Sequence, residues 1–547
     1  MKVLGLNLSH NASCAVVEDG ELIFALENDR LSRKKADNSI SELLNLFKNQ
    51  FFDYIVFTEY DLNLKKINYF YDKVNNLLNS NNIKYNKLEA FPYHHESHAF
   101  SAFYNSSYEE CIALIIDNGG ISIKVDDEEM GQEILSIIKI NKDGSHINLL
   151  KICRNDKKFL HKDVIVSLPT ISIAGMYEYI KHLFQLKEPG AVMGYSCYGK
   201  ENEFLGINPF IIDKNNNFFT SNPLFLYRCV TSKEKLNYVP IQDLCFAVQK
   251  QTEDIVLYYL NYIKEKYGNT NICLSGGLFQ NCMLNYKIIK NNFNVFVDPI
   301  SHDGGTSIGI AQYYYHRVTG KKPNKYKNLY LGLEEDLSKI YNLVSKNHDI
   351  VFEDCNVNHV AELLASGKII GIFQGRSEMG PRALGNRSIL FNPNIINIKE
   401  KINLIKERAW FRPVAGTVLY EEKNKWFNFY NKESTPFMSY ACEVLKEKQK
   451  LISGIVHIDG TCRIQTLKKE ENELFYNLIN CFNSITKIPI LGNTSLNLAG
   501  KPLVQSLTDV IDFLIDSNVD FVYFPEINKI SHVKYKNNIE VNSSNMR

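Results

Sequence analysis

The chain has 547 residues, enough at about 150 per domain for about three to four domain equivalents, each able to bury a core without disulfides or a structural metal. Its 62 Lys+Arg and 61 Asp+Glu leave a net charge of +1, which argues against a globally basic nucleic-acid coat and against an acidic tail protein, though not against a local basic cleft. Hydrophobic residues at 45% and charged residues at 22% are those of an ordinary folded protein, and no run of about 18 apolar residues offers a membrane span.

The opening MKVLGLNLSH reads as a first strand and not as a secretory leader, because Gly5 and Asn7 break its short apolar run. Apolar runs at Val3 to Leu8, at 15–17 and at 22–26, separated by Asn11 and Asp19-Gly20, predict a β-meander that opens a mixed sheet. A second apolar strand, Cys111–Ile116, ends at Asp117-Asn118-Gly119-Gly120. Val248, Ile255, Tyr259 and Ile263 share one face of a predicted helix, with Gly268 as its C-terminal cap. A short strand at 271–274 leads into the turn Ser275-Gly276-Gly277 and a helix carrying Asn281. Strands that end in glycine turns and alternate with helices argue for an α/β fold.

Residues 320–328 (GKKPNKYKN) shift to Lys, Asn and Pro and are the linker candidate, with a boundary near 325–350. Beyond it, 363–374 reads as a helix end, a turn at Gly367 and a buried strand, and the polar stretch 535–547 reads as a frayed end. The 12 cysteines are scattered without a C-x-x-C pair. With no leader, they read as small buried thiols of a cytoplasmic protein and not as a disulfide framework or zinc ribbon.

Several strings carry chemistry. In His94-His95-Glu96-Ser97-His98, a helix would set His94 and His98 one turn apart, with Cβ atoms about 5–6 Å from each other, so that both imidazoles could face one metal. The string is not H-E-x-x-H, and two more ligands are needed; Asp117 and Asp303 are the best oxygen donors. The alternative is a His-rich helix face with capping roles. The turns at His10, Asp117 and Gly276 could present backbone N–H groups to a phosphate. Neither G-x-x-x-x-G-K-[ST] nor a G-x-G-x-x-G after a strand occurs, so P-loop and Rossmann readings lack their signatures. From Arg376 to Arg412 eight Lys/Arg face three Asp/Glu, a local +5. This run is rich in Arg, Gly and Pro, which suits a partly buried anion site better than a solvated lysine face. His457 to Arg463 and Asn493 to Asn497 add polar residues at predicted strand ends.

The strings HHESHAFSAF, GGLFQN, HDGGTSIG, GRSEMGPRALGNRSIL, KERAWFRP, HIDGTCRIQTL and NTSLNLAGKPLV, in this order along nearly the whole chain, resemble the ATP-dependent O-carbamoyltransferases of the NodU/CmcH/TobZ group. The resemblance implies an ASKHA-type, two-lobed (actin/Hsp70-like) domain at 1–335, similar to the universal tRNA threonylcarbamoyltransferase, then a YrdC-like α/β domain at 345–547. The second would make carbamoyladenylate from carbamoyl phosphate and ATP with Mg2+. The first would pass the carbamoyl group to an acceptor hydroxyl at a metal site. Residue by residue, it implies His94, His98, Asp117 and Asp303 as ligands of a divalent transition metal, with Fe2+ the leading choice over Zn or Mn. Gly276, Gly277 and Asn281 would lie against the adenosine. Arg376, Arg382, Lys406, Arg412, His457, Arg463, Asn493 and Ser495 would bind the anionic substrates, with Arg382 and Lys406 in catalytic positions. His10 is the candidate general base, or else a turn residue bonded to backbone.

Two positions depart from the family pattern. Ile121 stands where D-G-x-G-E has its acid, and Ala191 where G-K-x-M-G has its lysine. Both point to an unusual acceptor, which could be a sugar, an antibiotic-like metabolite, or a hydroxymethylated pyrimidine, free or in DNA. The competing readings are threonylcarbamoyl transfer to tRNA and a nucleotide-binding scaffold without transfer. A membrane partner is not expected, and the sequence leaves the oligomeric state open.

Overall fold

A computed structural model describes residues 1–59, 66–125, 128–154, 159–161, 164–166, 171–203, 205–215, 218–234, 239–347 and 349–534; the polar stretch 535–547 lies outside them. The meander predicted at the N-terminus forms from β1 (Lys2–Asn7), β2 (Ser13–Glu18) and β3 (Glu21–Glu27), paired antiparallel. Next, β4 (Phe51–Thr58) joins β1 in parallel and β5 (Lys84–Ala90) joins β4 in parallel, giving the order β3-β2-β1-β4-β5. In β1 every residue from Val3 to Asn7 is buried, as expected of a central strand covered on both faces.

The second sheet repeats this plan. Its strands are β6 (Cys111–Ile116), β7 (Ser122–Val125), β8 (Glu128–Ile140), β9 (His146–Arg154), β10 (Ile272–Ser275) and β11 (Val295–Val297). β8 runs antiparallel to β6 and carries β9 on its other edge, while β10 is parallel to β6 and β11 to β10. The order β9-β8-β6-β10-β11 is again third-second-first-fourth-fifth, with the same senses, and β7 continues the β6 edge along β8. This is the two-lobed ASKHA-type architecture.

Two helices fill the space between the lobes. The His94–Asn105 helix packs on the second sheet, the Thr306–Thr319 helix packs on the first, and the two pack on each other. Gly5 allows this approach, because a Cβ there would collide with the Ser307 carbonyl oxygen. The helix predicted around Val248 spans Ile241–Tyr267 and ends at Gly268, whose φ is 74°.

A ten-stranded mixed sheet is built wholly from residues 350–533, with central strands Ile370–Phe373, Arg387–Phe391, Ile490–Ser495, Ala415–Leu419 and Thr461–Leu467 adjacent in that order. One apolar cluster runs without a break from β6 and the Ile241–Tyr267 helix into this sheet. Residues 320–328 are not a loose spacer. Gly320 caps the Thr306–Thr319 helix, Pro323 and Tyr326 are buried, and the backbone is tied on both sides, Asn324 N to Gly20 O at 2.8 Å and Tyr326 N to Asn105 Oδ1 at 3.2 Å. The lysine- and asparagine-rich composition concealed a strap with a buried apolar edge. All 12 cysteines are free, and no helix among the described residues is long and apolar enough to cross a membrane.

Candidate active site

The HHESH string is helical, and its first and last members turn inward. His94 Nε2 and His98 Nε2 stand 3.3 Å apart, and His98 Nε2 lies 3.3 Å from Asp117 Oδ2 and 3.5 Å from Asp303 Oδ1. His94 Nε2 lies 4.0 and 3.7 Å from the same two carboxylate oxygens. Asp117 follows the last residue of β6, and Asp303 sits in the 3-10 turn Asp303–Gly305 that starts the Thr306–Thr319 helix. The middle of the string faces away: His95 Nδ1 meets Ser136 Oγ at 2.7 Å, and Lys151 bridges Glu96 and Glu133.

These four groups fit a divalent cation. The edges of a tetrahedron with bonds of about 2.0–2.3 Å measure about 3.3–3.8 Å, close to the separations here. Two ring nitrogens and two carboxylates converging in a buried place repel one another unless a positive charge joins them. In the apoprotein a proton takes that part. Burial works against a charge on His98, but the hydrogen bonds to Asp117 and Asp303 carry it up to about 10. Burial likewise raises Asp303, but the charges of His94 and His98, with His10 adding, hold it well below the usual carboxylate range. The other nitrogen of each ring, Nδ1, is buried without a partner among the described residues, so the helix backbone and whatever Nε2 holds must orient both rings.

His10 is exposed on the turn that follows β1, beside Asn11 with its φ of 58°. Its backbone is held by Asn7 Nδ2, which also donates to the Asp303 carbonyl at 3.2 Å, and Ser9 Oγ donates to Asp303 Oδ2 at 3.3 Å. Sequence reasoning passed over Asn7 and Ser9; their signal was two polar residues at alternate positions where an apolar strand ends. The Gly276-Gly277 turn braces the opposite side. Gly277 N donates to Asp117 Oδ2 at 3.2 Å, and Gly276, at φ 96°, lies so close to β6 that a Cβ would strike the Ile116 carbonyl. Asn281 is the N-cap of the Cys282–Lys290 helix, not a member of it, and its amide donates to Gln249 Oε1 and Tyr177 Oη.

The basic run divides by environment. Arg376 gives its guanidinium to the carbonyls of Gly332, Leu331 and Ile23, and Arg387 lies 3.6 Å over the Phe373 ring and bonds to backbone. Both are structural in this geometry. Glu378 accepts the N–H groups of Leu384, Asn386 and Arg387 and so shapes the loop between them. Lys406 Nζ is saturated by Ser495 O at 2.6 Å, Asn497 O at 2.6 Å and the two side chains beside them. Asn493 is fully buried and bonds Thr417.

Arg382, Arg408, Arg412 and Arg463 form a different group, turned toward one another. Burial, with Arg463 adding, pushes Arg382 down to about 9, and burial with Arg412 pushes Arg408 down to about 10. Burial also lowers Arg463, with Arg412 adding. Four guanidinium groups that share one carboxylate are the kind of arrangement that suits an anion. Glu188 is the carboxylate that all of them feel; it pairs with Arg412 at 3.0 Å and with Lys35 at 2.7 Å. His457 borders the group, its Nε2 3.2 Å from Phe411 O.

The Gly277–Gln280 turn links the two centres. Its first N–H holds Asp117, and its last carbonyl accepts Arg382 Nη2 at 3.0 Å. At about 2 Å rise per residue in a 3-10 turn, these contacts are roughly 6 Å apart.

Residues 59–312 match the family described as Carbamoyltransferase N-terminus, and residues 361–529 the one described as Carbamoyltransferase C-terminus. Nodulation protein NolO of Bradyrhizobium diazoefficiens is 30% identical over 446 residues, covering 78% of this chain and 76% of that protein. This chain belongs to the carbamoyltransferase family. The uncharacterized protein MJ1051 of Methanocaldococcus jannaschii is 30% identical over 95% of this chain and 97% of its own. The 3'-hydroxymethylcephem-O-carbamoyltransferase of Streptomyces clavuligerus is 30% identical over 45% of this chain and 46% of its own.

In this carbamoyltransferase the two departures from the family pattern are not bare. Beside Ile121 stands Glu133, which a Cβ on Gly120 would meet at 2.7 Å; beside Ala191 stands Arg412, whose Nη2 is 3.9 Å from a Cβ on Gly190. An acid therefore stands beside the first position and a base beside the second, each from another element.

Glu188 makes a pH-dependent seam. Burial raises its carboxyl, but Arg412 and Lys35 outweigh burial and hold it at about 2. A depressed folded-state value stabilises fully above the ordinary 4.5 and is lost as pH falls through about 2. Because the side chain is 44% exposed, we expect Glu188→Gln to cost no more than about 1 kcal/mol at pH 7. In denaturant titrations the difference from wild type should shrink progressively between those pH values; a difference independent of pH would exclude the ion pair as its source.

Proposed function

We propose that the chain is an ATP-dependent O-carbamoyltransferase with two functional units, residues 1–335 and 345–547. In this reading the guanidinium group of the YrdC-like second unit receives carbamoyl phosphate and ATP with Mg2+. Water hydrolyses carbamoyl phosphate there to carbamate and phosphate, a carbamate oxygen attacks the ATP α-phosphorus, and pyrophosphate leaves, giving carbamoyladenylate. Arg382, Arg408, Arg412 and Arg463 offset the repulsion between two anionic substrates, most strongly where water is excluded. Lys406 fixes the Ser495–Asn497 turn against them.

The adenylate then lies along the Gly276-Gly277 turn, which has no side chain in the way and whose Gly277 N–H holds Asp117 beside it. An acceptor hydroxyl oxygen attacks the carbamoyl carbon, AMP leaves, and the exposed His10 imidazole takes the hydroxyl proton. A divalent transition metal, Fe2+ in this reading, would be held by His94, His98, Asp117 and Asp303 and would supply Lewis acidity to the carbamoyl carbonyl. The name of the Streptomyces relative supports a hydroxymethyl group as the acceptor.

The observation that carries this reading is the short turn between the two centres: one end holds a metal-type aspartate and the other a substrate-type arginine. Purified protein given carbamoyl phosphate, ATP and Mg2+ should release pyrophosphate and accumulate carbamoyladenylate, and a hydroxymethyl acceptor should then be carbamoylated. Failure to form the adenylate across a series of divalent metals would overturn the assignment.

A further inference from the structure

A second group of metal-type donors lies away from the cluster on the His94–Asn105 helix and shares no residue with it. Cys197 ends the Pro189–Ser196 helix, while His457 and Asp459 belong to the tight turn that enters the Thr461–Leu467 strand. One ligand atom from each of the three lies within 4.8 Å of the others. Cys197 Sγ is 3.5 Å from Asp459 Oδ2, within the edge lengths of a coordination tetrahedron, about 3.3–3.8 Å, and His457 Nδ1 is 3.6 Å from the other oxygen of the same carboxylate, Oδ1. The thioether of Met283 adds a soft donor, its Sδ 3.6 Å from Cys197 Sγ.

The arrangement is organised as a metal site is organised. His457 Nε2 faces the Phe411 carbonyl at 3.2 Å, and a carbonyl can only accept, so the ring proton belongs on Nε2. That leaves the Nδ1 lone pair beside the Asp459 carboxylate, to which the Cys197 thiol donates its proton at 3.5 Å; a cation would replace that proton and join all three donors. Ligating histidines commonly donate their second nitrogen to a carbonyl in this way. Asp459 is fixed as well: its Oδ1 accepts Thr461 N at 3.0 Å and Thr461 Oγ1 at 2.8 Å, which leaves Oδ2 turned to the cysteine. Asp459 is exposed and Cys197 half-buried, so an ion can reach the site from solvent.

We propose that Cys197, His457 and Asp459 form a second metal site, for a thiophilic divalent ion of the Zn2+ class, tying the Pro189–Ser196 helix to the turn before the Thr461–Leu467 strand. Sulfur, nitrogen and oxygen donors together favour Zn2+ over Mg2+ or Ca2+, and three protein ligands leave a position open to water. Burial and the Asp459 carboxylate keep the free thiol protonated, so capture of the ion releases that proton and strengthens as pH rises.

Cobalt separates this site from the first, which has no sulfur. Co2+ titrated into the full-length, chelator-treated protein should give a near-ultraviolet thiolate-to-cobalt charge-transfer band and strong visible d–d absorption, both quenched by Zn2+. Cys197→Ser should abolish the charge-transfer band, and Asp459→Asn should weaken Co2+ binding there about 10-fold or more. The double variant His94→Ala/Asp303→Asn should keep the band. Circular dichroism of each variant reports that it is folded. A saturating Co2+ titration of the wild type without the band, or a band unchanged in folded Cys197→Ser, would overturn the proposal.

Discussion

Replacing His98 by alanine is expected to reduce carbamoyl transfer by at least about 100-fold while leaving carbamoyladenylate formation within a few-fold of wild type. Of the two candidate ligand histidines, His98 makes the shorter contacts to both carboxylates, at 3.3 and 3.5 Å. Its loss removes both a proposed ligand and the group whose proton balances Asp117 and Asp303 in the apoprotein. Leaving buried carboxylates without their nearest cationic partner costs on the order of 3–5 kcal/mol, so the variant should also unfold at lower temperature. Metal content, pyrophosphate release and acceptor carbamoylation measured on one preparation separate these effects. A folded variant that loses metal and still transfers at near wild-type rate would remove the His94/His98 cluster from the chemistry. Pyrophosphate release that fell equally with transfer would show that the two centres do not divide the work.

Replacing Arg382 by methionine is expected to act in opposite directions on stability and activity. Its guanidinium is half-buried among like charges and pushed down to about 9, so folding is penalised for keeping it charged. Methionine fills similar volume without that penalty, so the variant should be at least as stable as the wild type. The bond to the Gln280 carbonyl is lost in exchange, which offsets about 1 kcal/mol of the gain. Adenylate formation should fall by about 100- to 1,000-fold, the range found when a single preorganised charge-stabilising donor is removed. Thermal unfolding and pyrophosphate release are the two readouts. A variant both less stable and fully active would mean that Arg382 is a structural tie like Arg387.

The sequence disclosed these sites unequally. His94 and His98 were legible because helical spacing alone brings them together, and the meander because its period of two and its turns are local. The repeated strand order was not legible. It depends on pairings such as Ile112 with Ile272, and topology can be duplicated without leaving a repeat in the residues. The basic run was readable as an anion site in aggregate, but not member by member. Arg376, Arg382 and Arg387 belong to one motif, and only packing decides that two are held by backbone carbonyls or a ring while the third stands beside Arg412 and Arg463. Glu188 and Cys197 carried no signal, since Arg412 and Asp459, which they meet, lie more than 200 positions away. The segment 320–328 misled because its lysines and asparagines outnumber the few side chains that anchor it.

The division of ligands between the lobes has a mechanical consequence. His94, His98 and Asp117 ride on the second lobe, whereas Asp303 rides on a helix seated on the first. An ion held by all four, as proposed, would be a clasp between the lobes, and parting them would stretch its bonds to Asp303. Its affinity would then gauge closure: whatever drew the lobes together would tighten it, and whatever wedged them open would loosen it.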